Sequence, residues 1–289
     1  MKILVVGGHP ADVFDHCGGT LLHHTRAGDV VTCLALTHGI RVHDEVVSEV
    51  FRFGMEGYTA QEIEHICAER EQVKLDEVKE ACALFGVTDV RSLRYDDKML
   101  MVTPELIDAV AKVIREVKPD LLITHYPLSG GNTFNHHGNT AKIAIAATGL
   151  AGTVDFDDPN PSWRIAETAF MLNCSDMMAF NALSGYNAAV ANYFVDVTDA
   201  AELKVKAMDV MRSQQYQGWY SRKFVECDNG LAGVYNRIPY CEAFMMSKPV
   251  ISDLIRVSEH WLTRANEPEK VSMDRDFTIT AAFVPMPGS

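Results

Sequence analysis

Lys2-Ile3-Leu4-Val5-Val6 opens the chain as an apolar strand that breaks at Gly7-Gly8. A helical stretch follows from Cys17-Gly18-Gly19-Thr20 to about Arg26, and Gly28-Asp29 stops it before a second apolar strand, Val30 to Leu36. Strand, helix and strand with a glycine stop signal form a βαβ opening. The pattern then repeats. Thr59 to Phe85 reads as a long amphipathic helix with Thr59 as N-cap, Glu62 as capping-box partner and Gly86 as terminator. Strand Val90 to Leu93, helix Pro104 to Val117, strand Asp120 to Thr124 and helix Gly138 to Gly149 complete the alternation. Such alternation predicts an α/β fold, a Rossmann-like and mostly parallel sheet with helices on both faces.

Beyond Thr153 the text changes. Residues 155–161 are a loop, Ala166 to Leu172 and Tyr193 to Val197 read as strands, and Thr198 caps a helix reaching about Tyr216. The segment from Gln214 to Phe244 mixes aromatic and cationic residues irregularly, as either a packed loop region or a lid or substrate wall. The tail is polar, then strand-like from Phe277 to Val284, a candidate for subunit contacts. The expected organisation is one catalytic domain over residues 1–265 with a C-terminal extension over 266–289.

The 289 residues are 47% hydrophobic, enough to bury a full core, and carry a formal net charge of -13. That charge argues against a nucleic-acid partner, which needs a basic face. No apolar run approaches the length of a membrane span, and Met1-Lys2 leads straight into a core strand, so no membrane partner and a cytoplasmic location are expected. Seven scattered cysteines, none in C-x-x-C spacing, indicate neither a disulfide framework nor a thiolate metal site.

The chemistry concentrates at strand ends. His9 and Asp12 sit three apart on the turn after the first strand, and His125, His136 and His137 follow the strand that ends at Thr124. Imidazole nitrogen and carboxylate oxygen suit a borderline cation such as zinc, and a catalytic site uses three protein ligands. Both stretches meet at the carboxyl edge of one parallel sheet, where open α/β sheets bind ligands. A third candidate wall is Thr37 to Glu45, rich in titratable groups.

Gly8-His9-Pro10-Ala11-Asp12 and Cys17-Gly18-Gly19-Thr20-Leu21 resemble the opening motifs of the PIG-L/LmbE-like zinc enzymes, roughly A-H-P-D-D followed by C-G-G-T-L. Thr37 and Gly39, the Arg70-Glu71 pair, His136-His137, and Val195-Asp196-Val197-Thr198 with Lys204 follow in the family's order, over about the first 220 residues. The resemblance implies a Rossmann-like fold, zinc or another divalent transition metal on His9, Asp12 and His137, and in most members hydrolysis of N-acetyl groups on sugar-like amines.

One departure carries weight. The family's deacetylases use the first Asp of the pair as general base, and Ala11 stands there. The same loss marks a hydratase branch, lyases that act on 4-oxalomesaconate in gallate and protocatechuate breakdown, and the text from Gln215 to Arg222 and from Tyr240 to Phe244 is similar to that branch. The resulting expectation is a zinc-dependent hydratase of a small unsaturated oxo- or hydroxy-carboxylate. The alternative is a zinc-dependent deacetylase with a relocated base. For the missing base the candidates are His136, His38 and His43, with Asp15 and Glu45 open, since imidazole titrates near neutrality. A small anionic substrate needs bidentate partners, for which Arg41, Arg222 and Arg237 are candidates, with Tyr240 beside them. A homo-oligomer is expected.

Overall fold

Alternate residues of the first strand face opposite ways, and both directions are apolar. Ile3 and Val5 enter one core, Leu4 and Val6 another. A strand with two apolar faces needs a helical layer on each side, and each such side chain contributes roughly 1.5–3 kcal/mol when fully buried. The computed structural model describes residues 1–52, 54–129, 134–177 and 189–288. Its seven strands are β1 (Lys2–Gly7), β2 (Val30–Thr37), β3 (Asp89–Tyr95), β4 (Leu121–His125), β5 (Glu167–Leu172), β6 (Tyr193–Asp196) and β7 (Cys241–Met246). They lie in the order β3-β2-β1-β4-β5-β7-β6, and β7 runs opposite to the other six.

The helices described are α1 (Gly18–Arg26), α2 (Ile40–His43), α3 (Glu45–Phe51), α4 (Ala60–Leu84), α5 (Pro104–Val117), α6 (His136–Ala151), α7 (Cys174–Met177), α8 (Ala201–Val210), α9 (Trp219–Val225), α10 (Leu231–Tyr235), α11 (Glu259–Arg264) and α12 (Glu269–Asp276). α1, α4 and α8 cover the face of Ile3 and Val5; α5 and α6 cover the face of Leu4 and Val6. The expected doubly covered parallel sheet is the fold observed. Thr59 and Glu62 form the capping box of α4, and Gly86 follows it at φ +77°, where a side chain would be strained. No helix among the described residues is long and apolar enough to cross a membrane.

The C-terminal third departs from the expectation in three places. The helix expected from Thr198 to Tyr216 ends at Val210, because Glu77 of α4 accepts the backbone N–H and hydroxyl of Ser213 at 3.1 and 2.6 Å and draws the chain aside. The segment expected to be irregular contains β7, whose second residue, Glu242, interrupts its apolar pattern. Phe277 to Val284 is not a strand: both edges of β7 are already taken, and the tail closes in a 3₁₀ turn at Ala281–Phe283. Ala281 and Val284 enter the main core of their own chain, so the extension is packed down.

Candidate metal centre

β1 and β4 are neighbours from which the connections run in opposite directions, and the cleft outside their carboxyl ends is where such sheets take ligands. The turn after β1 is held closed from β2: the backbone N–H and hydroxyl of Thr37 donate to the Gly8 carbonyl at 3.0 and 2.7 Å. Gly8 is required by space. A Cβ there would stand 2.7 Å from the Thr140 hydroxyl and 3.2 Å from Asp12 Oδ2. Gly39, at φ +69°, packs where a Cβ would meet Pro10 at 2.7 Å. Across the cleft, the Asn135 side chain accepts from Gly138 N at 3.1 Å and starts α6, placing His136 and His137 in its first turn.

His9, Asp12 and His137 are brought together with one donor atom from each within 4.8 Å of the others. Asp12 Oδ2 is the hub: it accepts from His9 N at 2.8 Å and lies 3.2 Å from His9 Nδ1, 3.1 Å from His125 Nε2 and 3.5 Å from His137 Nε2. His125 stacks on His137 with centroids 4.2 Å apart. Burial works against the Asp12 charge, but His137, His9 and His125 outweigh it and hold the carboxyl well below its usual range. Burial and the charge of His125 drive His137 well below the ordinary imidazole value. A neutral imidazole and an ionised carboxylate are the states in which these side chains bind metal. Two imidazoles and a carboxylate converging on one point fit a divalent transition metal.

Next to this cluster is a cavity of about 310 Å³, lined on one side by Asp12, Asp15, His16, His43, His137 and Asp228. Tyr216, Tyr220 and Phe224 form an aromatic wall on the other, with the two tyrosine rings stacked at 4.5 Å. Among the described lining residues none is Arg or Lys. The stretches outside the description, 130–133 and 178–188, contain neither residue type in the sequence.

The family profile described as GlcNAc-PI de-N-acetylase, PIG-L, matches residues 4–148, half of the chain. This chain belongs to the PIG-L family. Curated relatives of this PIG-L protein include the diacetylchitobiose deacetylase of Thermococcus kodakarensis, 28% identical over 214 residues that cover 74% of this chain and 70% of that one. Another is 1D-myo-inositol 2-acetamido-2-deoxy-alpha-D-glucopyranoside deacetylase 2 of Catenulispora acidiphila, 26% identical over 74% of this chain and 79% of its own. Among solved structures, GalB, the 4-carboxy-2-hydroxymuconate hydratase of Pseudomonas putida KT2440, superposes with TM-score 0.68 at 17% identity, covering 88% of this chain and 99% of that one. The N,N'-diacetylchitobiose deacetylase of Pyrococcus horikoshii superposes with TM-score 0.63 at 23% identity, covering 85% and 83%. At these identities the structural likenesses show a shared fold.

Of the base candidates in this PIG-L chain, two stand at the cluster. His136 Nδ1 lies 2.9 Å from His9 Nε2, and the His43 ring meets His9 edge-on at 5.1 Å. Burial and the neighbouring His9 push His43 down to about 4, which leaves it an uncharged acceptor. His38 is engaged elsewhere: its Nδ1 lies 3.0 Å from Asp97 and accepts from Ile40 N at 3.2 Å. Glu45 begins α3 and is not among the cavity's lining residues.

The arginines and Tyr240, expected at the substrate, have other work. The buried Arg222 guanidinium donates to Asp209 at 2.9 and 3.0 Å, to the Gly218 and Val284 carbonyls, and to that of Pro285, so every nitrogen is used in tying α9 to α8 and the tail. Arg237 pairs with Asp276 at 3.4 Å beside α12. The Tyr240 hydroxyl donates to Glu226 at 2.7 Å and accepts from Thr280 and Ala281. Arg41 forms an exposed two-pronged pair with Asp96 at 2.7 and 2.8 Å and does not line the cavity. In sequence, a cation near an aromatic looks the same whether it waits for substrate or braces the tail. His16 and Asp228 are the cleft residues that sequence reasoning left without a role, and the adjacency of Asp15-His16 to the metal motif was the available signal for the first; His125, offered among the strand-end histidines, stacks on His137.

Proposed function

We propose that this protein is a metal-dependent hydrolase that removes an N-acyl group from an uncharged, amino-sugar-sized substrate, with zinc on His9, Asp12 and His137. The observation that carries this reading is the lining of the cavity: Asp12, Asp15 and Asp228 stand in it, the His16 imidazolium there is already paired with Asp15 and Asp228, and no Arg or Lys among the described residues joins them. A substrate with several carboxylates would find no Arg or Lys there to pair with, whereas a neutral amide needs none. The aromatic wall suits the apolar face of a sugar ring, and the curated deacetylase relatives support the same class.

A divalent metal held by His9, Asp12 and His137 would supply Lewis acidity for water and an acyl carbonyl. The chain's own part is to hold the donor set with Thr37, Gly8 and Asn135, to keep His137 unprotonated, and to wall the cavity with Tyr216 and Tyr220.

The hydratase reading keeps one observation in its favour, the replacement of the motif aspartate by Ala11, which is fully buried and can carry no proton. Amine release from N-acetylglucosamine and N,N'-diacetylchitobiose by the zinc-loaded protein, run beside loss of ultraviolet absorbance from 4-oxalomesaconate, decides between them. Amine release with the unsaturated acid untouched is the expected result; the reverse overturns the hydrolase.

A further inference from the structure

Resting on the hydrolase reading, we propose that Asp15, held by His16 and Asp228, carries the proton that residue 11 cannot carry in this chain. Asp15 N donates to the Ala11 carbonyl at 3.1 Å, closing one helical turn. The turn begins as a 3₁₀ helix over Ala11–Val13 and leaves helical geometry at Phe14, and this backbone bond is what brings residue 15 back beside residue 11. The carboxylate missing from position 11 is therefore present one turn later, in the same cavity wall as Asp12 and His137.

Asp15 is 3% exposed, and its Oδ1 has no hydrogen-bond partner. Buried carboxylate oxygens are normally satisfied, and an unsatisfied one on a residue that lines a cavity calls for a partner. The nearest donor, His16 Nε2, stands 3.6 Å away, near enough for charge but too far for a hydrogen bond. His16 is itself fixed from behind by Asp228, whose Oδ2 lies 3.1 Å from Nδ1. Asp228 sits in the π-helical turn Glu226–Gly230 and also accepts from Cys174 N at 2.8 Å, which anchors it. The groups facing Asp15 are Asp12 and His16 on its own turn, His125 of β4, Lys204 of α8, and Tyr216 and Tyr220 beyond it. Burial dominates among these influences and raises the Asp15 carboxyl to about 6, where it can accept a proton and return it near neutrality.

The step balances. Water gives one proton to Asp15 as its oxygen bonds to the acyl carbon. The C–N bond then breaks with its electron pair on nitrogen, and Asp15 returns the proton there, leaving a carboxylic acid, an amine and an ionised Asp15. His16 is a positioning residue that keeps the carboxylate aimed.

The test uses the zinc-loaded protein and its Asp15→Asn variant on N,N'-diacetylchitobiose. D15N is expected to lose roughly 100-fold or more in kcat with KM little changed, to lose the acidic limb of the pH profile, and to keep its zinc. The double variant A11D/D15N, with the carboxylate back at position 11, is expected to regain at least about tenfold over D15N. D15N activity within about threefold of the parent, or a loss that follows zinc content, overturns the proposal. If the parent protein releases no amine, the hydrolase reading falls, and calorimetry still judges Asp15. Acetohydroxamate is titrated into the zinc-loaded protein at pH 6.5, in two buffers of different ionisation enthalpy. Parent and D15N are expected to differ by about three-quarters of a proton taken up, and equal counts overturn Asp15 as the proton carrier.

Discussion

Glu242 joins the motif turn to the far strand, and replacing it tests how the site is held. Its carboxylate accepts from Gly19 N at 2.9 Å and Thr20 N at 2.8 Å, the first turn of α1, and from Lys204 Nζ at 2.9 Å. Both side chains of the ion pair are at most 1% exposed. Glu242→Gln keeps the shape but leaves the Lys204 ammonium buried without an opposite charge, an arrangement that costs about 3–5 kcal/mol. The amide also turns one oxygen into a donor facing donors, and each donor left unsatisfied adds roughly 1–3 kcal/mol. An overall loss of about 4 kcal/mol is expected, read as a lower urea midpoint by circular dichroism at unchanged m-value. Lys204→Met on top of E242Q removes the stranded charge, so the double variant is expected to recover about half the loss or more, with a coupling energy of about 2 kcal/mol. If E242Q stays within about 1 kcal/mol of the parent, or the two substitutions simply add, the pair does not brace the motif turn as argued.

Four further outcomes follow from the same geometry. Gly19→Ala in an exposed helix would gain close to 1 kcal/mol, but here the new Cβ would sit 2.5 Å from Val197 Cγ1, so a loss of about 1–3 kcal/mol is expected by thermal melting, and a gain would refute the contact. Arg222→Gln should cost about 3 kcal/mol in stability while leaving KM within about twofold; a large rise in KM at unchanged stability would return Arg222 to the substrate. His137→Ala should lose stoichiometric zinc by elemental analysis, and the stabilisation of about 2.7 kcal/mol that the parent gains at a hundredfold excess of zinc over its Kd should vanish with it. Burial opposes the His16 charge, yet Asp15 and Asp228 lift this imidazole to about 9. A raised value means stability that is complete below about 6.5 and lost as pH climbs through 9, so Asp228→Asn should flatten that limb of a stability–pH curve.

Local periodicity was enough to determine most of the first half of the fold. Apolar runs at β1, β2 and β4, the Thr59–Glu62 box and Gly86 are signals that act over a few residues, and each element formed where its own text placed it. The same holds for the convergence of His9, Asp12 and His137, because strand ends in a parallel sheet must share one edge. What the text could not carry was the partner of each charge. Arg222 and Arg237 read as free cations until the fold set Asp209 and Asp276 against them, and β7 stayed hidden because its Glu242 can be buried only once Lys204 and the first turn of α1 satisfy its charge. Asp15 and His16 are neighbours in sequence, but Asp228 arrives from 212 residues beyond His16. Ionisation, hydrogen-bond satisfaction and the sign of a cavity depend on through-space neighbours within a few ångströms, and only the tertiary structure chooses those neighbours.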